Sequence, residues 1–369
     1  MKTLFTLLIF CVVLFIYIHI NFHLKVSDDL EVYEIDQPSK DKLEEICDLR
    51  QPVIFDYNVD GLVNDCNLDT ISNNFGAFDI KVRNVKEYDD VSELYLPLTL
   101  NTAMDIFRKD KNERFVSENN GEFLEETSII KSFRYNDNFL RPYSVSNCTY
   151  DLMFSSKNTR TPLKYELNYR NFFLVTQGSV KLKLIPPKSS KYLYTINDYD
   201  NFEFLSPVNP WNVQSQFKPD FDKLKTLEVS LKVGQIIYIP AYWWYSFEFA
   251  ESTSICVFKY RTYMNNIAIS NHLLVNLLQT QNVKRETVKK IDNTDKKTSN
   301  DTSHIDTSHI DTSPIDTSPI DTSPIDTSPI DTSPIDTSHI DTSHIDTLPI
   351  YTLSIDTLSI DRPIVNNKK

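Results

Sequence analysis

From Thr3 to Leu24 the chain contains no Asp, Glu, Lys or Arg, and Leu4–Ile18 is almost wholly apolar. At about 1.5 Å per residue, roughly 20 such residues cross a hydrocarbon core of about 30 Å. The run therefore predicts a transmembrane helix within residues 1–25. A secretory signal peptide usually has an apolar core of about 7–15 residues that ends at small residues. Here Ile20-Asn-Phe-His-Leu-Lys25 follows, with no such site. An uncleaved signal anchor is the expectation and a cleaved signal the alternative. Lys2 precedes the span, and Lys25 after it is soon followed by Asp28, Asp29 and Glu31. That asymmetry favours a single-pass membrane protein with its body on the non-cytoplasmic side.

Between Asp36 and Gln281 the pattern changes twice. Ser39 can cap a short helix through Cys47, Gln51–Phe55 reads as a strand, and a second helix is expected over Thr99–Arg108. From about Tyr150 onward the chain becomes a succession of short β-branched and aromatic runs: Leu163–Leu167, Asn171–Thr176, Val180–Ile185, Leu227–Val233, Gln235–Ile239, Trp243–Phe249 and Ser254–Tyr260. Short strands with turn punctuation predict a closed or sandwich-like, mainly β core with an α+β periphery. Gly178 and Gly234 stand where tight turns with positive φ are needed. Apolar residues at Ile267, Ile269, Leu273, Leu274, Leu277 and Leu278 predict one amphipathic helix over Tyr263–Gln279. The body is thus bounded at 36–283, with its barrel at about 150–262.

Residues 284–300 form a Lys- and Thr-rich linker into a pentapeptide array, 301–369, built from DTSHI, DTSPI and related units. A five-residue period matches neither 3.6 nor 2, so no face of a helix or strand collects the isoleucines. Proline in six units blocks helices and ladders, and an Asp in nearly every unit adds repulsion. A disordered stalk is expected. Its Ser, Thr and Pro suit O-glycosylation, although replication slippage explains the array equally well.

This tail changes how the composition is read. Of the formal charge of −13, about −9 comes from its twelve Asp set against Arg362, Lys368 and Lys369. The body has no positive surplus, which argues against a nucleic-acid partner. Four of the seven histidines lie in the tail and His19 and His23 in the apolar run, so His272 alone serves the body. A site needing two body histidines is excluded unless the termini supply them. In a glycosylating, oxidising compartment the sequons at Asn147 and Asn300 become relevant, and Cys47, Cys66, Cys148 and Cys256 are either two disulfides or buried thiols.

Two blocks carry a family resemblance. Thr161-Pro-Leu-Lys-Tyr-Glu166 with Asn171-Phe-Phe, Gly178 and Ile185-Pro-Pro187 forms the first, and Val233-Gly-Gln-Ile-Ile-Tyr-Ile-Pro-Ala-Tyr-Trp-Trp-Tyr-Ser-Phe-Glu248 the second. Their order and spacing resemble the cupin-like, JmjC-related 2-oxoglutarate oxygenases over roughly residues 36–280. The resemblance implies a double-stranded β-helix with its site in the barrel mouth. In active members the first block reads T-P-x-H-x-D, and its His and Asp, with the His after the Trp pair, bind Fe(II). Here those positions are Lys164, Glu166 and Tyr245, the pattern of a degenerate member such as a large DNA virus could carry. The lysine that in several members holds the cosubstrate's distal carboxylate is replaced by Val180.

An ammonium has no lone pair at neutral pH, and a phenol with a pKa near 10 is a poor ligand. Neither a metal nor a cofactor is therefore expected, and no catalytic residue is assigned. On a strand Lys164 and Glu166 share a face, which predicts an ion pair in place of the metal with Tyr245 as hydrogen-bond partner. The competing reading sends Lys164 out to solvent. Asn171, Trp243 and Trp244 are candidate mouth-lining residues, though the two tryptophans equally suit barrel packing.

Three functions follow. The first is a catalytically inactive ectodomain, anchored through residues 3–24, that binds a protein or glycan or serves as a structural part of a membrane or virion-like particle. The second is an Fe(II)/2-oxoglutarate hydroxylase with an atypical ligand set. The third is a metal-free enzyme with Glu166 as base and Tyr245 as acid. By position, Tyr263–Gln279 resembles the helices through which some relatives dimerise, which makes a homodimer an expectation as well.

Overall fold

The computed structural model describes residues 2–57, 59–86 and 95–281. The linker, the repeat tail and Asn300 lie outside the described residues. Among the described residues one helix, Lys2–Leu24, is long and apolar enough to cross a membrane.

The N-terminal half of the body contributes strands β1 (Tyr33–Ile35), β2 (Val53–Asp56), β3 (Asp79–Asn84), β4 (Leu96–Thr99) and β5 (Phe115–Ser117). The barrel region follows as β6 (Val145–Ser155), β7 (Leu163–Tyr165), β8 (Arg170–Gln177), β9 (Ser179–Ile185), β10 (Ile196–Asp198), β11 (Glu203–Ser206), β12 (Leu227–Lys232), β13 (Gln235–Pro240), β14 (Trp244–Phe249) and β15 (Ser254–Thr262). Among the described residues they form a nine-stranded sheet, ordered β1-β2-β13-β8-β15-β6-β5-β3-β4, and a six-stranded sheet, β10-β11-β7-β14-β9-β12. Both are antiparallel apart from the β1–β2 pair.

Period-two alternation assigns each strand's side chains to one of two cores. On β8, Phe172 and Leu174 pack outward under the helical layer, while Phe173 and Val175 pack inward. The same division holds on β13, with Tyr238 out and Ile237 and Ile239 in, and on β15, with Cys256, Phe258 and Tyr260 out and Ile255 and Val257 in. Across the barrel Val180, Leu182 and Leu184 of β9 and Phe247 and Phe249 of β14 complete the inner core. β8, β13 and β15 therefore read as near-continuous apolar runs because both of their faces are covered, whereas β9 alternates, with Ser179 and Lys181 exposed.

The expected helix at Ser39 is present as Lys40–Cys47, with the Ser39 hydroxyl accepting from the Lys42 amide. Thr99 likewise caps Leu100–Lys109. Gly178 and Gly234 take φ of +74° and +84° in the β8–β9 and β12–β13 turns. One expectation is corrected: Tyr263–Gln279 is two helices, Tyr263–Ala268 and Ser270–Thr280, broken where Ile269 closes the first through its N–H to the Asn265 carbonyl. The four body cysteines are free thiols, three of them buried.

Candidate functional site

The alternation that builds the apolar inner core also aims charged side chains inward at one end of the barrel. Val116 on β5 faces the inner core, and two residues on, Glu118 continues that parity. Met153 on β6 and Val257 on β15 do the same for Asp151 and Lys259. On β3, Ile80 and Val82 face outward, which turns Arg83 inward. Lys164 on β7 is opposite Tyr245 of β14 in register and is only 6% exposed.

The groups meet in two linked clusters. In the first, Lys164 Nζ lies 2.7 Å from Glu118 Oε2, and Arg83 Nε lies 3.1 Å from Glu118 Oε1. Arg83 also reaches Glu203 Oε2 at 3.1 Å, and the Tyr95 hydroxyl donates to Glu203 Oε1 at 3.0 Å. In the second, Lys259 Nζ lies 2.9 Å from Glu166 Oε1, the Tyr245 hydroxyl donates to the same oxygen at 3.1 Å, and Asn168 Nδ2 donates to Oε2 at 3.1 Å. Arg261 holds Asn168 in turn. Asp151 accepts from the Asn119 and Asn120 amides at 2.8 and 2.7 Å.

Burial would raise the Glu118 and Glu166 pKa values, but the neighbouring cations outweigh it. Arg83 and Lys164 hold Glu118 well below the usual carboxylate range, and Lys259 with Lys164 lowers Glu166. Lys259 is raised, Glu166 overcoming the burial that would lower it. Burial and Glu166 push the Tyr245 phenol well above 10. Asp151 is raised, chiefly by burial. As an acid–base pair Glu166 and Tyr245 are therefore displaced in the wrong directions, the base down and the acid up, away from neutral pH.

The structure brings Tyr245 to Glu166 as expected. The expected Lys164–Glu166 ion pair is replaced by two others, and Lys164 does not reach solvent. Glu118 and Lys259 supply closer partners. Asn171 is fully buried, donating to the Ile239 carbonyl at 3.2 Å. Trp243 and Trp244 present no ring to solvent. Both are fully buried, their indole N–H groups donating to the Arg50 carbonyl and the Ser190 hydroxyl. They are packing residues. His272 lies outside the mouth against Tyr199, and Val180 is part of the inner core. Asn147 is exposed on β6.

Sequence reasoning did not single out Arg83, Glu118, Asp151, Glu203 or Lys259. Lys259 was within reach: in Ile255-Cys-Val-Phe-Lys259 it falls on the parity of the inward residues, where a charge needs a buried partner.

Fe(II) centres use neutral imidazoles beside a carboxylate, with open positions. Here the three corresponding side chains are an ammonium bound to Glu118, a carboxylate already accepting from Lys259 and Tyr245, and a phenol that donates to it. This donor set does not fit the metal. Among the described residues no group of three or more His, Cys, Asp or Glu could hold a metal ion.

The profile of the cupin-like domain family matches residues 33–263. The chain belongs to this family. The chain is 24% identical over 136 residues to HSPB1-associated protein 1 of Homo sapiens, covering 37% of this chain and 28% of that one. It is 26% identical over 107 residues to the Rattus norvegicus protein of the same name, covering 29% and 22%. It is 34% identical over 100 residues to JmjC domain-containing protein D of Dictyostelium discoideum, covering 27% and 22%. The matched region is thus about a quarter of these relatives' length.

Proposed function

We propose that this chain is a membrane-anchored cupin-like protein that binds a partner and performs no oxygenase chemistry. The observation that carries the proposal is the occupation of the cupin mouth by ion pairs. Lys164 is committed to Glu118 and Glu166 to Lys259 and Tyr245, so none of the three positions that would hold iron offers a free ligand. Buried charges paired in this way give a fixed shape without a metal ion. A binding role is supported by relatives whose name records association with another protein, HSPB1. The helix Lys2–Leu24 supports a single-pass anchor; the flanking charges, Lys2 before it and Asp28, Asp29 and Glu31 after it, favour a body on the non-cytoplasmic side, where exposed Asn147 would accept a glycan.

The test is an anaerobic titration of the purified full-length chain with Fe(II) and Mn(II), followed by an assay for succinate formed from 2-oxoglutarate. We expect neither stoichiometric binding nor turnover. Tight binding of one ion per chain, or turnover abolished by Glu166→Ala, would overturn the proposal in favour of an oxygenase with an unusual ligand set.

A further inference from the structure

Helix Ser270–Thr280 contains no Asp, Glu, Lys or Arg, and its polarity is inverted. Its inward side is the polar one: His272 Nδ1 lies 3.0 Å from the Tyr199 hydroxyl, and Asn276 Nδ2 donates to the Tyr199 carbonyl at 2.6 Å, with Leu273 packed between. Leu274, Leu277 and Leu278, at i, i+3 and i+4 on the opposite side, are each more than half exposed. Tyr263 and Ile267 on the preceding helix are exposed as well. A surface helix of a soluble body would carry polar residues there.

The helix before Ser270–Thr280, Tyr263–Ala268, is the neighbour of the apolar N-terminal helix, and His23 Nε2 lies 3.0 Å from the Thr262 hydroxyl. The shielded side of Lys2–Leu24 is the stripe Ile16, His19, Ile20 and His23. At about 1.5 Å per residue that stripe extends roughly 12 Å back from Leu24 along the helix. The body is therefore fastened alongside the apolar segment as well as beyond its end. Leu24 and Val26 line one cavity with His272, which places the start of Ser270–Thr280 at the same exit point.

Resting on the reading that Lys2–Leu24 spans a bilayer, we infer that Tyr263–Thr280 lies in the membrane interface, with Leu274, Leu277 and Leu278 set into the boundary between headgroups and acyl chains. Interfacial helices sink about 5–10 Å into that boundary, a depth within the contact just described. Nearby charges are mixed, Lys25 beside Asp28, Asp29 and Glu31, with the Lys188 amide donating to Asp28, so burial of apolar surface drives the contact and zwitterionic lipid suffices.

The experiment uses the full chain carrying Cys11→Ser, Cys148→Ser and Leu277→Cys, labelled with an environment-sensitive fluorophore and reconstituted in phosphatidylcholine vesicles. The expected result is blue-shifted emission quenched by nitroxide lipids, with the chain resisting alkaline extraction. Water-like emission from a chain that resists extraction overturns the inference while leaving the span intact. A chain released by alkali sinks the spanning reading and the inference with it. Shielding that ignores nitroxide lipids and grows with protein-to-lipid ratio means that a second copy covers the face, which also overturns it.

Discussion

The inner face of this barrel has two ends made by the same strands. At one end Phe173, Val175, Leu182, Phe247 and Val257 form an apolar floor. At the other, Arg83, Glu118, Lys164, Glu166 and Lys259 form a charged mouth. On β15 two residues separate the regimes, Val257 from Lys259. The floor is stabilised by removal of apolar surface from water, at roughly 25 cal/mol per Å². The mouth must first overcome the desolvation of each ion, and apolar replacements of a buried pair are often neutral or stabilising. The charges are therefore poor evidence for stability and better evidence that this end keeps a defined shape.

The largest effects are expected in single truncations at both ends. Phe173→Ala should cost about 3–5 kcal/mol by leaving a cavity in the floor. Lys164→Met should cost a comparable 3–5 kcal/mol, because Glu118 stays buried with one of its two cations gone. Chemical denaturation of the full chain in detergent, read by buried Trp243 and Trp244, measures both. A cost below about 1 kcal/mol for Lys164→Met would mean that water reaches the mouth.

pH separates the two ends. The folded pKa values of Glu118 and Glu166 are depressed from the ordinary 4.5, so their stabilisation is fully present above that value. It is lost as the pH falls through the folded values. Stability should decline as the pH drops below about 4.5. The cost of Lys164→Met should shrink over the same range while that of Phe173→Ala does not change. Parallel pH curves for the two variants would erase the distinction between floor and mouth.

Smaller effects test the frame around the two ends. At Gly178, with φ of +74°, an added Cβ would meet Thr253 Cα at 3.0 Å and the Ser252 carbonyl at 3.1 Å. Gly178→Ala should cost about 1–3 kcal/mol by the same denaturation measurement. Lys42 pairs with Glu45 in solvent, so Lys42→Ala should stay within about 0.5 kcal/mol.

The sequence pattern exposed the floor more readily than the mouth, for a physical reason. Strands such as Ile236–Ile239 and Phe172–Val175 are apolar on both faces, so they stand out locally and their turns are marked by Gly178 and Gly234. The double-stranded β-helix and the importance of Lys164, Glu166 and Tyr245 were legible in the two motif blocks. Their partners were not, because ion pairs join residues far apart in the chain, as Lys164 does with Glu118. The N-terminal half hid Arg83 on the short strand β3 and Glu118 just past the end of the short strand β5, and the sheet partners of these strands set their inward direction. The break at Ile269 was also missed, since the apolar spacing of Tyr263–Gln279 persists through it and the local backbone hydrogen bonds decide it.

The hydrogen bond between His23 and Thr262 has a mechanical consequence. If Lys2–Leu24 is an anchor, a body tethered through a glycine-rich swivel would sample every tilt above it, whereas one held by this contact and by the packing of Tyr263–Ala268 would be clamped at the joint. Encounters with a partner would then be restricted to molecules presented at one height and from one bearing, so the clamp would act as a geometric filter on what the protein can meet.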